Sequence, residues 1–158
     1  MNEKQVTLDE LMPLIREQLA AGQTVTFFPH GVSMLPLIRE GRDSVTLSAP
    51  PKRLKKYDIA LFQRANGQYI LHRVVRCGET YTFVGDNQVH LEKNVQQEQI
   101  IAICTAFSRD GKRISAQAFG LRLYAVLWGL LRPFRRVASA VFRRARNILR
   151  KLKKTLHS

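Results

Sequence analysis

The sequence has little of what metal centres and disulfide-linked folds require. Its 158 residues include only two cysteines, Cys77 and Cys104, and the spacing of these two matches no metal-ligand pattern. A single cysteine pair is weak support for an oxidising compartment, so we expect both thiols to be reduced. We also expect the protein to bind no cofactor. The chain length and the 45% hydrophobic content indicate one folded domain with an appendage.

Acidic residues are absent from the C-terminal quarter of the sequence. Residues 120–158 contain 11 Lys and Arg and no Asp or Glu, whereas residues 1–119 contain 15 basic and 12 acidic residues. The net charge of +14 therefore divides into +11 for the tail and +3 for the rest. The strong basicity belongs to the tail, and the remaining part of the chain is close to neutral.

The N-terminal segment lacks the long apolar run of a secretory signal, because charges occur throughout residues 1–22. Residues 7–10 instead match a helix capping box, and the apolar spacing predicts an amphipathic helix over 7–21 that ends at Gly22. The predicted apolar face consists of Leu8, Leu11, Leu14, Ile15 and Leu19. This helix is too short and too charged to span a bilayer, so we expect it to pack against a sheet.

Short apolar or alternating segments separated by turn residues predict a β-rich middle of the chain. The predicted strands cover 23–28, 44–48, 59–62, 69–75, 81–84 and 100–107, with turns at Asn66-Gly67 and Asp110-Gly111. We therefore expect a mainly β (α+β) fold with a compact, curled antiparallel sheet or β-barrel. It would consist of an N-terminal helix (1–22), a β domain (23–117) and a helical tail (118–158).

The segment 30–37, which reads His-Gly-Val-Ser-Met-Leu-Pro-Leu, follows the first predicted strand. Gly31 permits backbone torsions that other residues avoid, and Pro36 fixes its own φ. Such a loop can present the Ser33 hydroxyl rigidly and leave neighbouring backbone N–H groups free to face a substrate. Taken alone, an ordinary serine in a Gly/Pro turn explains the segment at least as well.

Two later segments give the serine a possible context. Residues 70–75 form a strand-like run with one histidine, His72, and residues 83–87 read Phe-Val-Gly-Asp-Asn. In this order the three segments resemble the signal peptidase I superfamily of serine peptidases, which includes the LexA-type self-cleaving repressors. They are most similar to the branch of the endoplasmic reticulum, archaea and some Gram-positive bacteria, which pairs Gly-x-Ser-Met-x-Pro, His-Arg-Val and Gly-Asp-Asn boxes. The resemblance covers residues 24–105.

The resemblance implies a role for each of three side chains. Ser33 would be the nucleophile, His72 the general base, and Asp86 the acceptor of the second imidazole N–H. A lone strand histidine is more often structural, however, and a Gly-Asp-Asn triplet is first of all a turn signal. The family usually has a further acidic residue after this triplet, and the nearest one here is Glu92, at an uncertain register.

The same resemblance implies a sheet of the signal-peptidase/LexA type and an extended peptide or protein substrate lying along a strand edge. Gly31, Val32, Met34 and Pro36 would shape the substrate site. Backbone N–H groups around residues 31–33 would then stabilise the oxyanion.

The tail, residues 118–158, indicates a membrane partner. Residues 118–131 are largely apolar apart from Arg122, and Pro133 kinks or restarts the helix. From Phe134 onward apolar residues recur with helical period and basic residues lie opposite them, which is typical of an in-plane binder of anionic membranes. We expect peripheral association on the cytoplasmic side, with anchoring through the C-terminal segment as the alternative. Nucleic acid is a less fitting partner because the apolar stripe exceeds what phosphate contacts need, and a partner-protein groove or self-association stays open.

Together these features predict a signal-peptidase-like serine endopeptidase at a membrane surface. Two alternatives remain open. The chain could be a catalytically inactive, peptidase-like binding module, or a LexA-like regulator that cleaves only itself.

Overall fold

The part of the chain that the computed structural model describes, residues 8–134 and residue 137, has a 3₁₀ turn at Gln97–Gln99 in addition to two α-helices and eight strands. In chain order these are α1 (Leu8–Ala20), β1 (Val25–Phe27), β2 (Asp43–Ser48), β3 (Ile59–Gln63), β4 (Tyr69–Cys77), β5 (Tyr81–Val84), β6 (Glu92–Val95), β7 (Ile100–Arg109), β8 (Lys112–Ser115) and α2 (Phe119–Leu130). Thr7 of the predicted capping box and most of the apolar stripe predicted from Phe134 onward lie outside the described residues.

The sheet is antiparallel throughout, with the strand order β1-β2-β7-β3-β4-β5-β6 and with β8 paired to β7. This confirms the predicted α+β fold with its antiparallel sheet. The barrel alternative is wrong for the described residues, because β1 and β6 stand at opposite ends of the order and do not pair. Register shifts in the β2–β7, β3–β7 and β4–β5 pairs mark bulges, which bend and twist the sheet.

Helix α1 packs on one side of the sheet, as expected, but with a different set of side chains. Met12, Ile15 and Leu19 are buried, and Leu8 and Leu11 pack at the margin of the same cluster. These five positions follow the three- and four-residue spacing of one helix face. Leu14 lies off that face and is 54% exposed, so its predicted place on the apolar face is wrong.

The strands separate two apolar clusters, because successive side chains point to opposite faces. On β3, Ile59 and Leu61 belong to the cluster under α1, whereas Ala60 and Phe62 belong to a second cluster formed with β4, β5 and β6. The same alternation on β4 directs neighbouring residues to different sides of the sheet. This alternation decides which polar groups can meet at the site.

Two strands, β6 and β8, are not predicted by the sequence pattern. Their sequences, Glu-Lys-Asn-Val and Lys-Arg-Ile-Ser, are polar and lack a clear apolar alternation. Pairing with a neighbour forms them: β6 extends the sheet beyond β5, and β8 returns along β7 through the predicted Asp110-Gly111 turn. Both turn residues have positive φ, as a tight two-residue hairpin requires.

Substitutions in α1 test the observed packing. We expect Met12→Ala to lower the free energy of unfolding by about 2–5 kcal/mol, because it leaves a cavity beneath the helix. Leu14→Ala, on the solvent side of the same helix, should change it by less than about 0.5 kcal/mol. Urea unfolding followed by circular dichroism measures both. Equal losses for the two variants would contradict the observed orientation of α1.

Candidate active site

The Ser33 loop connects β1 to β2 and is held in place by buried apolar side chains and by hydrogen bonds to Glu40. Met34, Leu37 and Ile38 are buried in the cluster under α1. Gly31 has a φ of 95°, a conformation that favours glycine. Glu40 bridges the start of the loop: its Oε1 lies 2.8 Å from His30 Nδ1, and its Oε2 accepts the Gly31 N–H at 2.9 Å. These hydrogen bonds lower the pKa of Glu40.

Gly85 forms the contact between this loop and His72. A Cβ atom on Gly85 would lie 2.6 Å from the Ser33 carbonyl oxygen, 2.9 Å from His72 Nε2 and 3.1 Å from Ser33 Cβ. The first two distances are shorter than any real Cβ contact, so only glycine fits here. Ser33 and the Nε2 side of the imidazole therefore border the same small space, although no hydrogen bond joins them among the described residues.

The other ring nitrogen of His72 faces Glu92. The Nδ1 atom lies 3.0 Å from Glu92 Oε1, and the His72 side chain is only 2% exposed. That distance suits an ion pair or hydrogen bond, but the N–H direction is misaligned, so Nδ1 lacks a hydrogen bond of good geometry. A small rotation of either side chain would align the two groups, and such loose geometry is common in unliganded sites. With Nδ1 protonated towards the carboxylate, Nε2 is the free acceptor on the Ser33 side.

Asp86 contacts Arg73 in the structure, and not His72 as expected. Both carboxylate oxygens of Asp86 accept hydrogen bonds from Arg73, from Nε at 2.8 Å and from Nη2 at 2.7 Å. His72 and Arg73 are adjacent in β4, so their side chains point to opposite faces of the sheet. Asp86 lies on the Arg73 face, and the acid on the His72 face is Glu92.

Strand β6 supplies this acid. Glu92 stands opposite Phe83 of β5 in the register, and Phe83 belongs to the cluster on the His72 side of the sheet. Arg64, just after β3, fixes the carboxylate in place through two hydrogen bonds of 2.6 Å. The sequence offered Glu92 only as the next acidic residue after the Gly-Asp-Asn triplet, because β6 has no apolar pattern of its own.

The charge states of His72 and Glu92 suit general base catalysis by the imidazole. Burial holds the pKa of His72 below its usual 6.5, and the Arg64 cation acts in the same direction, while the Glu92 carboxylate opposes both. Burial alone would raise the pKa of Glu92, but the hydrogen bonds from Arg64 and the charges of Arg64 and His72 outweigh it and place the pKa below 4.5. At neutral pH the site therefore combines a neutral imidazole with an ionised carboxylate.

The Gly-Asp-Asn turn, residues 85–87, also holds the Ser33 loop, through hydrogen bonds from Asn87. The Asn87 backbone N–H donates to the Ser33 carbonyl at 2.8 Å, and its side-chain amide donates to the Val32 carbonyl at 3.2 Å. On the far side of the turn, Trp128 of α2 donates its indole N–H to the Asp86 carbonyl at 2.7 Å. The turn is thus held between the loop and a helix that lies beyond the segment covered by the motif resemblance.

A small cavity opens beside Ser33. Its volume is about 100 Å³, and its lining includes His30, Met34 and Ile38 together with residues 69–71 of β4. Strand β4 pairs with β3 along residues 69–73 but with β5 only from Arg73 onward. Residues 69–71 consequently have a strand partner on only one side within the described sheet, and their other edge is next to the cavity.

The cysteines contribute nothing to this site. Cys77 is exposed and Cys104 is buried, and both are free thiols. Burial raises the pKa of Cys104 to about 12, which makes that thiol unreactive at neutral pH. Within the described residues, no group of three or more His, Cys, Asp or Glu side chains is arranged to hold a metal ion.

Comparison with family models, curated proteins and solved structures finds no match for this chain. Membership of the signal peptidase superfamily therefore stays a prediction from the three motifs. The arrangement of Ser33, His72 and Glu92 and the cavity beside them are the features that bear on function.

The close contact at Gly85 predicts that even a methyl side chain at this position destabilises the fold. Gly85→Ala should lower the free energy of unfolding by about 1–3 kcal/mol, because the added methyl group meets the Ser33 carbonyl and the imidazole. Gly78→Ala is the matched control, since a Cβ there would meet only the Thr80 carbonyl at an ordinary 3.6 Å. Chemical denaturation compares the two variants. Similar values for both would contradict the contact.

Proposed function

We propose that this chain is a serine endopeptidase in which Ser33 attacks the peptide carbonyl and His72 acts as general base. The single observation that carries the proposal is the shared contact at Gly85, where Ser33 and His72 Nε2 border one space. Glu92 next to His72 Nδ1 supports it further, because a serine hydroxyl is inert without a correctly oriented base.

In the proposed reaction, the Ser33 Oγ–H bond breaks as Oγ forms a bond to the substrate carbonyl carbon. The proton moves to His72 Nε2, and the resulting imidazolium is stabilised by the Glu92 carboxylate. The imidazolium then protonates the leaving amine as the C–N bond breaks, which leaves an acyl ester on Ser33. Water activated by His72 hydrolyses this ester and restores the serine.

The oxyanion needs backbone donors, and the loop limits which ones are free. The Gly31 N–H is occupied by Glu40 Oε2, so it is not among them. The N–H groups of Val32, Ser33 and Met34 have no acceptor within the described part of the chain. We assign the oxyanion site to these three groups, which moves it one residue along from the expected position around 31–33.

The open edge at residues 69–71 suits an extended peptide substrate. A peptide strand added there would donate and accept main-chain hydrogen bonds and pass the Ser33 loop. The cavity of about 100 Å³ beside Ser33 would accept only a small side chain. The proposed substrate is therefore an extended segment with a small residue next to the cleaved bond.

One observation favours the alternative of a peptide-binding module without catalysis. Among the described residues, neither a Ser33–His72 hydrogen bond nor a well-aligned His72–Glu92 hydrogen bond is formed. A binding module would use the same strand edge and cavity but would not need the imidazole.

Covalent labelling of the serine separates the two functions. The full chain is incubated with a fluorophosphonate probe, and the modified residue is identified by mass spectrometry. We expect modification at Ser33, loss of labelling in Ser33→Ala, and a fall of roughly 10³-fold or more in the labelling rate of His72→Ala. Labelling of wild type and His72→Ala at equal rates, or no labelling of wild type, would reject the peptidase proposal.

The role of Glu92 predicts a pH effect as well as a rate effect. Glu92→Gln should reduce the labelling rate by about 10²–10⁴-fold, because the carboxylate no longer stabilises the imidazolium. The same change removes a charge that raises the pKa of His72, so the acid limb of the pH–rate profile should move to lower pH. Glu98→Gln removes an equal charge from an exposed position and should leave both quantities unchanged. A wild-type profile for Glu92→Gln would return Asp86 to consideration as the catalytic acid.

A further inference from the structure

Helix α2 carries apolar side chains on two faces. Its inner face consists of Leu121, Tyr124, Ala125 and Trp128, which repeat at three- and four-residue intervals and pack towards the sheet. Its outer face consists of Phe119, Leu123, Val126, Leu127 and Leu130, which repeat in the same way and are exposed. A helix with one face buried would normally present polar residues on the other, so the outer face needs an explanation.

The exposed apolar surface is concentrated at this end of the chain. Leu131, Phe134 and Val137 continue it directly after α2, and only three other large apolar side chains are exposed in the described residues: Leu14, Phe28 and Val32. The sequence that forms α2 and follows it is strongly basic, since residues 120–158 hold 11 Lys and Arg and no acidic residue. A binding partner that matches both features has an apolar interior and a negatively charged surface.

We propose that the outer face of α2, together with the basic residues that follow it, docks onto the surface of an anionic lipid bilayer. Leucine and phenylalanine side chains would enter the boundary between headgroups and acyl chains, and the lysines and arginines would pair with lipid phosphates. Nucleic acid matches the charge, but contacts with its phosphates do not require the five exposed apolar side chains of the outer face. Neither described helix has the length and apolar character needed to cross a bilayer.

Docking through α2 would bring the site itself to the membrane. Trp128 is hydrogen-bonded to the Asp86 carbonyl, Tyr124 donates to Asp86 Oδ2 at 3.4 Å, and the two rings stack with centroids 5.6 Å apart. Asn87, the next residue of that turn, holds the Ser33 loop. Resting on the proposed peptidase function, the docking would favour peptides or proteins presented at the bilayer surface as substrates.

Vesicle binding of the full chain tests the docking surface. We expect co-sedimentation with vesicles of phosphatidylcholine and phosphatidylglycerol, and roughly tenfold weaker partitioning of Leu127→Glu, which places a charge in the apolar layer. Leu14→Glu is the matched control, because Leu14 on α1 is 54% exposed and Leu127 is 52% exposed. This control should partition like wild type. Fluorophosphonate labelling of Ser33 without vesicles should be equal in all three proteins, so a failed peptidase proposal is recognised separately.

Several results would overturn the docking proposal. Equal partitioning of Leu127→Glu and wild type would show that charge alone drives binding and that the outer face takes no part. Equal binding to vesicles of phosphatidylcholine alone would remove the role of anionic lipid. Tighter binding to RNA than to the anionic vesicles, or a wild-type dimer that Leu127→Glu converts to monomers, would assign the surface to another occupant.

Discussion

The site depends on one close approach, that of the Gly85 backbone to the Ser33 loop and to His72. No side chain separates the turn from the loop at this point, and main-chain hydrogen bonding can therefore join them: the Asn87 N–H reaches the Ser33 carbonyl at 2.8 Å. Loop and imidazole come from distant parts of the sheet, because β1 stands at one end of the strand order and β4 lies four strands further along. The curled sheet and the missing side chain together bring them into contact.

A buried ion pair supports that approach from behind. Asp86 receives two hydrogen bonds from Arg73, whose guanidinium also donates to the Tyr57 carbonyl and lies 5.8 Å from the Tyr124 ring centroid. Burying two charges is costly unless their hydrogen-bonding groups are satisfied, and here most are paired in one network. Asp86 of the Gly-Asp-Asn triplet thus has a structural role, because its side chain joins the turn to β4 and α2.

Much of the candidate site could be predicted from short patterns. The serine in its Gly/Pro loop, the strand histidine and the turn at residues 85–87 all lie where their local sequence indicated, and the turn does contact the loop. The acid could not be assigned in the same way, because the choice between Asp86 and Glu92 depends on the face of the sheet each one occupies. The resemblance of the Gly-Asp-Asn triplet to the family motif favoured Asp86, whereas alternation along β4 and the pairing of β6 with β5 put Glu92 beside the imidazole.

Local sequence determined the elements whose residues interact with near neighbours: α1, the apolar strands, the Asp110-Gly111 hairpin and the apolar segment that becomes α2. It also determined the uneven distribution of charge, which is a property of composition alone. Tertiary structure decided which polar groups meet, since polar strands such as β6 form only when a neighbour offers its open edge. It also decided that α2 has an inner and an outer apolar face, because burial of one helix face depends on what lies across from it.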